Sequence, residues 1–223
     1  MTLDQIHSSC YSGVSLQMPR MRLRKLTHFG MIKARRVYTE ARQIYLLAKA
    51  GYAYLEDLGH SMELGYLPEI DLRVFEHDKA VTDLRLALQA AGIETWKSER
   101  ELRRDRPGSR VPDAIFDLDG LSVALEFENA DKGAERYRKI FLDHLDHPTA
   151  AHVLYVLRAP DKLKSLPPLL EGLQGKRLGL DVGRISFALE RNVLERRLQA
   201  PAINLKSGAI TIADLSVKTR RPQ

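Results

Sequence analysis

The chain has a single cysteine, Cys10, among its 223 residues. That excludes an internal disulfide and any thiolate zinc cluster, and it fits a reducing compartment. No apolar run approaches the roughly 20 residues of a membrane span, and the first residues lack the short apolar core of a secretory signal. The expected setting is the cytoplasm, with no membrane partner. No segment repeats and none is of low complexity. Acids are scarce at the front: residues 1–50 hold only Asp4 and Glu40 against nine Lys or Arg, a net of +7. Because the whole chain sums to +6, residues 51–223 come to −1. A basic front on a near-neutral body points to a polyanion. Nucleic acid comes before membrane, because no basic amphipathic helix there carries a broad apolar face. A solvated basic surface is the plain alternative.

What is present is an ordinary soluble composition, 44% hydrophobic and 29% charged, in a chain long enough for two domains. Residues 3–12 predict a short helix ending near Gly13. Ser15 can cap a second helix to about His28, with Leu16, Leu23 and Leu26 inward, Arg20, Arg22, Arg24 and Lys25 outward, and Pro19 in the first turn. Gly30 stops it. Two strands follow, Ile32–Tyr38 and Gln43–Ala48 around a turn at 39–42, and this hairpin carries Lys33, Arg35, Arg36 and Arg42. Helix, turn, basic helix and hairpin is the order of a winged helix-turn-helix over residues 1–60, whose basic helix enters the major groove of double-stranded DNA. A helical hairpin used for dimerisation is the alternative. Tyr45, Tyr52 and Tyr54 read as parts of a small core, and residues 50–70, with Gly51, Gly59, Gly65 and Pro68, as the join.

The second expected domain covers residues 70–215 and is α/β with a mixed sheet, so the chain as a whole is α+β. Its elements are a helix over Leu72–Ala91, a strand over Ile93–Lys97, a charged stretch Ser98–Arg104, and a hairpin turning at Asp119-Gly120. A helix over Ala130–His147 would carry Lys132, Arg136 and Lys139 on one side. Then come a buried central strand His152–Arg158, a helix Asp161–Leu173, a strand Ile185–Leu189 and a closing hairpin across Ile203–Leu215. Residues 216–223 read as a loose basic tail.

The hairpin is where chemistry gathers. Period two puts Val123, Leu125 and Phe127 on one face and Ala124, Glu126 and Glu128 on the other. Two acids in an apolar hairpin are costly unless a cation meets them. With Asp113 at the mouth of the preceding strand and Glu99 from the strand before, they offer hard oxygens suited to Mg²⁺ or Mn²⁺. Such an ion binds a phosphate oxygen and activates water, and the cations at 132, 136 and 139 would hold the phosphate. Solvated surface acids are the alternative. Asp143-His144-Leu145-Asp146-His147 has ligand types at helical spacing, or two histidines at a helix C-terminal dipole. Tyr137 is a nucleophile or a packed tyrosine, and His77 a general base or a partner of Asp78.

Pro112-Asp113, twelve residues, then Glu126-Phe127-Glu128 resembles the Pro-Asp…(Asp/Glu)-x-Lys core of the restriction-endonuclease-like fold. With the basic front, Glu76-His77-Asp78, Val81-Thr82-Asp83-Leu84-Arg85 and Ser98-Glu99-Arg100, the chain resembles the replication-relaxation family, which includes the MobC-type relaxases of mobilisable plasmids. The resemblance covers most of residues 15–160. It implies recognition of a plasmid origin of transfer and nicking of one strand, with Asp113 and Glu126 as metal ligands and Glu99 as a further acid. It also implies other relaxosome or coupling proteins as partners. The histidine clusters of the other relaxase class are absent. Glu128 departs from the pattern, which has lysine there. Lys132 or Lys139 then replaces that cation, or Glu128 is a further ligand, or catalysis is lost and a DNA-binding accessory or regulator remains.

Overall fold

The computed structural model describes residues 1–37, 43–60, 69–175, 177 and 179–219. The expected turn at 39–42 with Arg42, the glycine and proline at 65 and 68, and the last four residues of the tail lie outside them. The protein is mixed α+β. It divides into two compact units, Met1–Leu86 and Ala87–Gln223.

In the first unit, helix α1 (Leu3–Cys10) begins with a capping box. Gln5 N donates to Thr2 Oγ1 at 3.2 Å, and Thr2 N donates to Gln5 Oε1 at 2.8 Å. The buried Gln5 amide then donates to the Lys79 carbonyl (3.1 Å) and to Asp83 Oδ1 (2.8 Å) on α4 (Phe75–Gln89), fixing those helices together. Helix α2 (Gln17–His28) starts at Leu16 without a side-chain cap, so Ser15 does not serve as one. It buries only Pro19 and Leu23. Leu16 and Leu26, expected inward, are 39% and 42% exposed, because the unit covers just one narrow stripe of the helix.

Strands β1 (Ile32–Arg36) and β2 (Gln43–Leu47) pair antiparallel, Ala34 opposite Tyr45. Helix α3 (Lys49–Asp57) occupies the start of the expected join. It runs so close to the backbone of Met31 that a Cβ on Gly51 would lie 2.1 Å from the Met31 carbonyl oxygen. Of the tyrosines expected in a small core, Tyr45 and Tyr52 are half-buried and Tyr54 is 53% exposed; the aliphatic Leu23, Val37, Ile44, Ala80 and Leu84 are buried.

The second unit is built on a seven-stranded mixed sheet whose spatial order follows the chain. Its strands are β3 (Lys97–Ser98), β4 (Ala114–Leu118), β5 (Leu121–Glu128), β6 (His152–Leu157), β7 (Ile185–Leu189), β8 (Pro201–Asn204) and β9 (Gly208–Thr211). β5, β6 and β7 run parallel and the other neighbours antiparallel. The strand expected over Ile93–Lys97 shrinks to Lys97–Ser98, because Ser98 and Glu101 form a capping box that turns the charged stretch into α5 (Glu99–Asp105). Helices α6 (Ala134–Asp146) and α7 (Lys162–Gln174) connect the parallel strands. Tyr137, Phe141, Leu166 and Leu170 pack with Ala124, Val153, Tyr155 and Phe187 into one core. The other sheet face is buried as well, through Leu125, Leu154 and Ala188. There α8 (Glu190–Arg196) touches β6 and β7, and α9 (Asp214–Thr219) touches β5. The expected loose tail therefore begins as helix, with Leu215 and Ser216 buried.

Candidate functional site

The acids sit where the hairpin meets the parallel strands. Asp119 (φ 52°) and Gly120 (φ 83°) form its two-residue turn, both in the left-handed region that such turns need. The register places Ala114 opposite Leu125, so the residue just before β4 reaches the end of β5. There Phe127 N donates to Asp113 Oδ2 at 2.7 Å. Glu126 and Glu128 share the face of Ala124, and same-face neighbours on a strand lie about 7 Å apart.

Asp113 is met by a backbone amide, and the two acids of β5 are met by basic side chains. His144 Nε2 lies 2.8 Å from Glu126 Oε1, and Arg110 Nη2 lies 3.5 Å from the same oxygen. Their exposures, 5% for His144 and 14% for Glu126, make this a part-buried pair. Arg110 also approaches Asp143, at 3.9 Å. Glu128 is 3% exposed; Lys132 Nζ donates to its Oε2 at 2.5 Å and Ala130 N to its Oε1 at 3.0 Å. Helix α6 begins only after Gly133, so Lys132 lies in the preceding loop, not on the helix with Arg136 and Lys139.

The remaining expected residues stand apart from this arrangement. Lys139 is exposed on α6. Glu99 opens α5 and its amide donates to the Asp113 carbonyl at 2.9 Å, but its carboxylate is held by Arg103. His77 belongs to the first unit, with Nδ1 3.5 Å from Asp78. Tyr137 is packed: it is 2% exposed, its hydroxyl donates to the Ala130 carbonyl, and Lys132 and Lys162 lie over its ring. Burial, with the Glu128 charge, pushes it up to about 12.

Sequence reasoning missed three members. Arg110 and His144 meet Glu126 across 16 and 18 residues. The third, Tyr155, lies beside Glu126 in the β5–β6 register. Its hydroxyl is buried with no hydrogen-bond partner among the described residues, and burial followed by the Glu126 charge pushes it well above the ordinary tyrosine range. A signal for His144 was present: it continues the buried row Tyr137, Ile140, Phe141 at spacings of three and four. Arg110 and His144 also line a cleft of about 570 Å³ with Arg106, Asp143, His147 and Thr149.

Among the described residues no group of three or more His, Cys, Asp or Glu is disposed to hold a metal ion. Asp113 and Glu126 nevertheless offer the donor chemistry of a magnesium or manganese site, in which one or two carboxylates are completed by phosphate oxygens and water. In the first unit, Arg20, Arg24 and His28 line a trough of about 780 Å³ with Tyr45 and Gln43. Arg22, Lys25 and Arg36 are exposed, while Lys33 and Arg35 lie 3.8 and 3.6 Å from Glu69.

These features define a two-unit α+β protein with a basic helix in one unit and, in the other, an acid cluster of which Glu126 and Glu128 are met by basic side chains. No protein-family model, curated protein or solved structure matches the chain.

Proposed function

We propose that the chain is a DNA-binding protein of plasmid mobilisation whose second unit, with a restriction-endonuclease-like core, nicks one strand at an origin of transfer. The observation that carries this is the hydrogen bond from Phe127 N to Asp113 Oδ2, which ties the acid before β4 to the end of β5 beside Glu126. Asp113 and Glu126 are the ligands of Mg²⁺ or Mn²⁺. When bound, the cation polarises the phosphodiester and lowers the pKa of the attacking water. Arg110 and His144 orient Glu126, and Lys132 supplies near Glu128 the positive charge that the resembled motif places on the strand itself. The first unit acts as a winged helix: α2 is the DNA-entering helix, β1 and β2 the wing, and α4, hydrogen-bonded to α1, the remaining helix.

One observation favours a second reading, a non-catalytic DNA-binding accessory or regulator. The Lys132 ammonium is already matched by the buried Glu128 carboxylate, and a lysine neutralised in that way steadies no hydroxide. The experiment takes duplexes selected from a random pool by the full chain and clones them into supercoiled plasmid. The nickase reading expects open-circular product with Mg²⁺ or Mn²⁺, and Asp113→Ala and Glu126→Ala proteins that bind but do not cut. The accessory reading expects binding that persists in EDTA, falls steeply with salt, and ignores both substitutions.

A further inference from the structure

Helix α2 shows its surroundings more apolar surface than a solvated basic helix needs. Met18 is 41% and Met21 49% exposed, and the helix rests on its own unit only through Pro19 and Leu23. At about 100° per residue, Met21 points directly away from the midpoint of Pro19 and Leu23, with Met18 and Lys25 within about 60° of it. The outermost ridge therefore has Met21 at its crest with His28, Gln17 and Lys25 beside it, and Met18 and Arg24 at its two edges. All of these are exposed, and the helix carries no acid. An exposed apolar group of this kind marks a contact surface. The charge around it, Arg20, Arg22, Arg24 and Lys25 on a helix without an acid, selects a polyanion as the occupant.

We infer that the outermost ridge of α2 reads thymine: Met18 and Met21 contact thymine 5-methyl groups in the major groove, while the bordering polar side chains meet neighbouring base edges and phosphates. This rests on the DNA-binding reading and deepens it. The major groove is wide enough for a helix, and the thymine methyl is its one apolar feature. An unbranched, polarisable methionine reaches it and adapts to its position. The target must then present thymines where α2 lies.

The test uses the full chain and a duplex pool enriched from random sequence by binding to it, prepared once with thymidine and once with deoxyuridine, which lacks only the methyl. Losing one contacted methyl weakens binding about fourfold. Wild type is expected to bind the thymidine form at least about fourfold tighter. Met18→Ala/Met21→Ala is expected to bind both forms alike, and Met18→Leu/Met21→Leu to keep the difference. Both sites are exposed, so an unchanged melting curve is expected for each variant. Equal, salt-dependent binding of the two forms by wild type overturns the inference while leaving DNA binding intact; insertion into the minor groove gives that result. A difference that survives in the alanine variant also overturns it. So does a dimer that the alanine variant dissociates without changing either affinity, because a second copy then covers this face. Binding of neither form at low salt removes the DNA-binding reading itself.

Discussion

Glu128 carries its charge at 3% exposure, and what makes that tolerable is Lys132 Nζ at 2.5 Å together with the Ala130 amide. Removing one partner of such a pair leaves an uncompensated buried charge, a cost of about 3–5 kcal/mol when both are fully buried. Lys132 is 27% exposed, so Lys132→Ala should destabilise the second unit by about 2–4 kcal/mol in urea unfolding. Adding Glu128→Gln should recover most of the loss. His152 gives a second, pH-dependent check. Its Nε2 lies 3.0 Å from Ser186 Oγ, which itself accepts from Asn204, and burial followed by the Arg184 charge lowers it from 6.5 to about 4. Above pH 6.5 both folded and unfolded chains keep this ring neutral, so its contribution is complete. As pH falls from 6.5 towards about 4 the unfolded chain takes up a proton that the folded chain refuses. Stability should drop by up to about 3 kcal/mol across that window and then level off. His152→Leu should flatten the profile there, measured by unfolding at fixed pH values. At this scale Asp113, Glu126 and Glu128 were legible because spacing and alternation are local. The contacts of Glu126 were not: the helical period marks His144 as buried but not what it meets, which depends on how α6 lies against β5, and Arg110 reaches Glu126 from the segment before β4.

Among the elements, the β4–β5 hairpin was legible because Asp119-Gly120 fixes both turn and register. β7 was equally plain as a compact apolar run bounded at both ends. β3 was not, since the Ser98–Glu101 capping box competes for the same residues and wins. The start of α6 slipped past Lys132 for a related reason: the loop before Gly133 is held by contacts to Glu128, which local propensity does not record. For α2 the helical period told which residues share a side but not how narrow the covered stripe is. Hence Leu23 is buried while Leu16 and Leu26 are not. Gly51 tests the packing of α3. A methyl group 2.1 Å from the Met31 carbonyl cannot be accommodated without moving the helix, and overpacking of this kind costs about 1–3 kcal/mol. Gly51→Ala should lower the melting temperature of the first unit, followed by near-ultraviolet circular dichroism or by amide exchange on α3, and leave the β5–β7 core protected.

For the whole molecule, the charge division seen in the sequence is not the structural one: residues 51–86 carry eight acids against three cations, so the first unit nets +2 and the second +4, and the excess of positive charge is concentrated in the first 50 residues, where α2 and the β1–β2 hairpin lie. No helix among the described residues is long and apolar enough to cross a membrane. The overall α+β class and the mixed sheet were readable from element order. The pairing of Glu126 with Arg110 and His144 and of Glu128 with Lys132 was not, because it arises only when the hairpin, the loop at Lys132 and α6 come together. Those pairings bear directly on the proposed nicking, in which Glu126 gives up its protein partners, and Asp113 the Phe127 amide, for a divalent ion and a phosphate. The most direct measurement is relaxation of supercoiled plasmid carrying the selected binding site, with Mg²⁺ or Mn²⁺, by wild type and by Glu126→Ala at concentrations that saturate binding. Wild type is expected to give open-circular DNA and the variant none. Tight binding by wild type with no nicking under either metal would contradict the proposal.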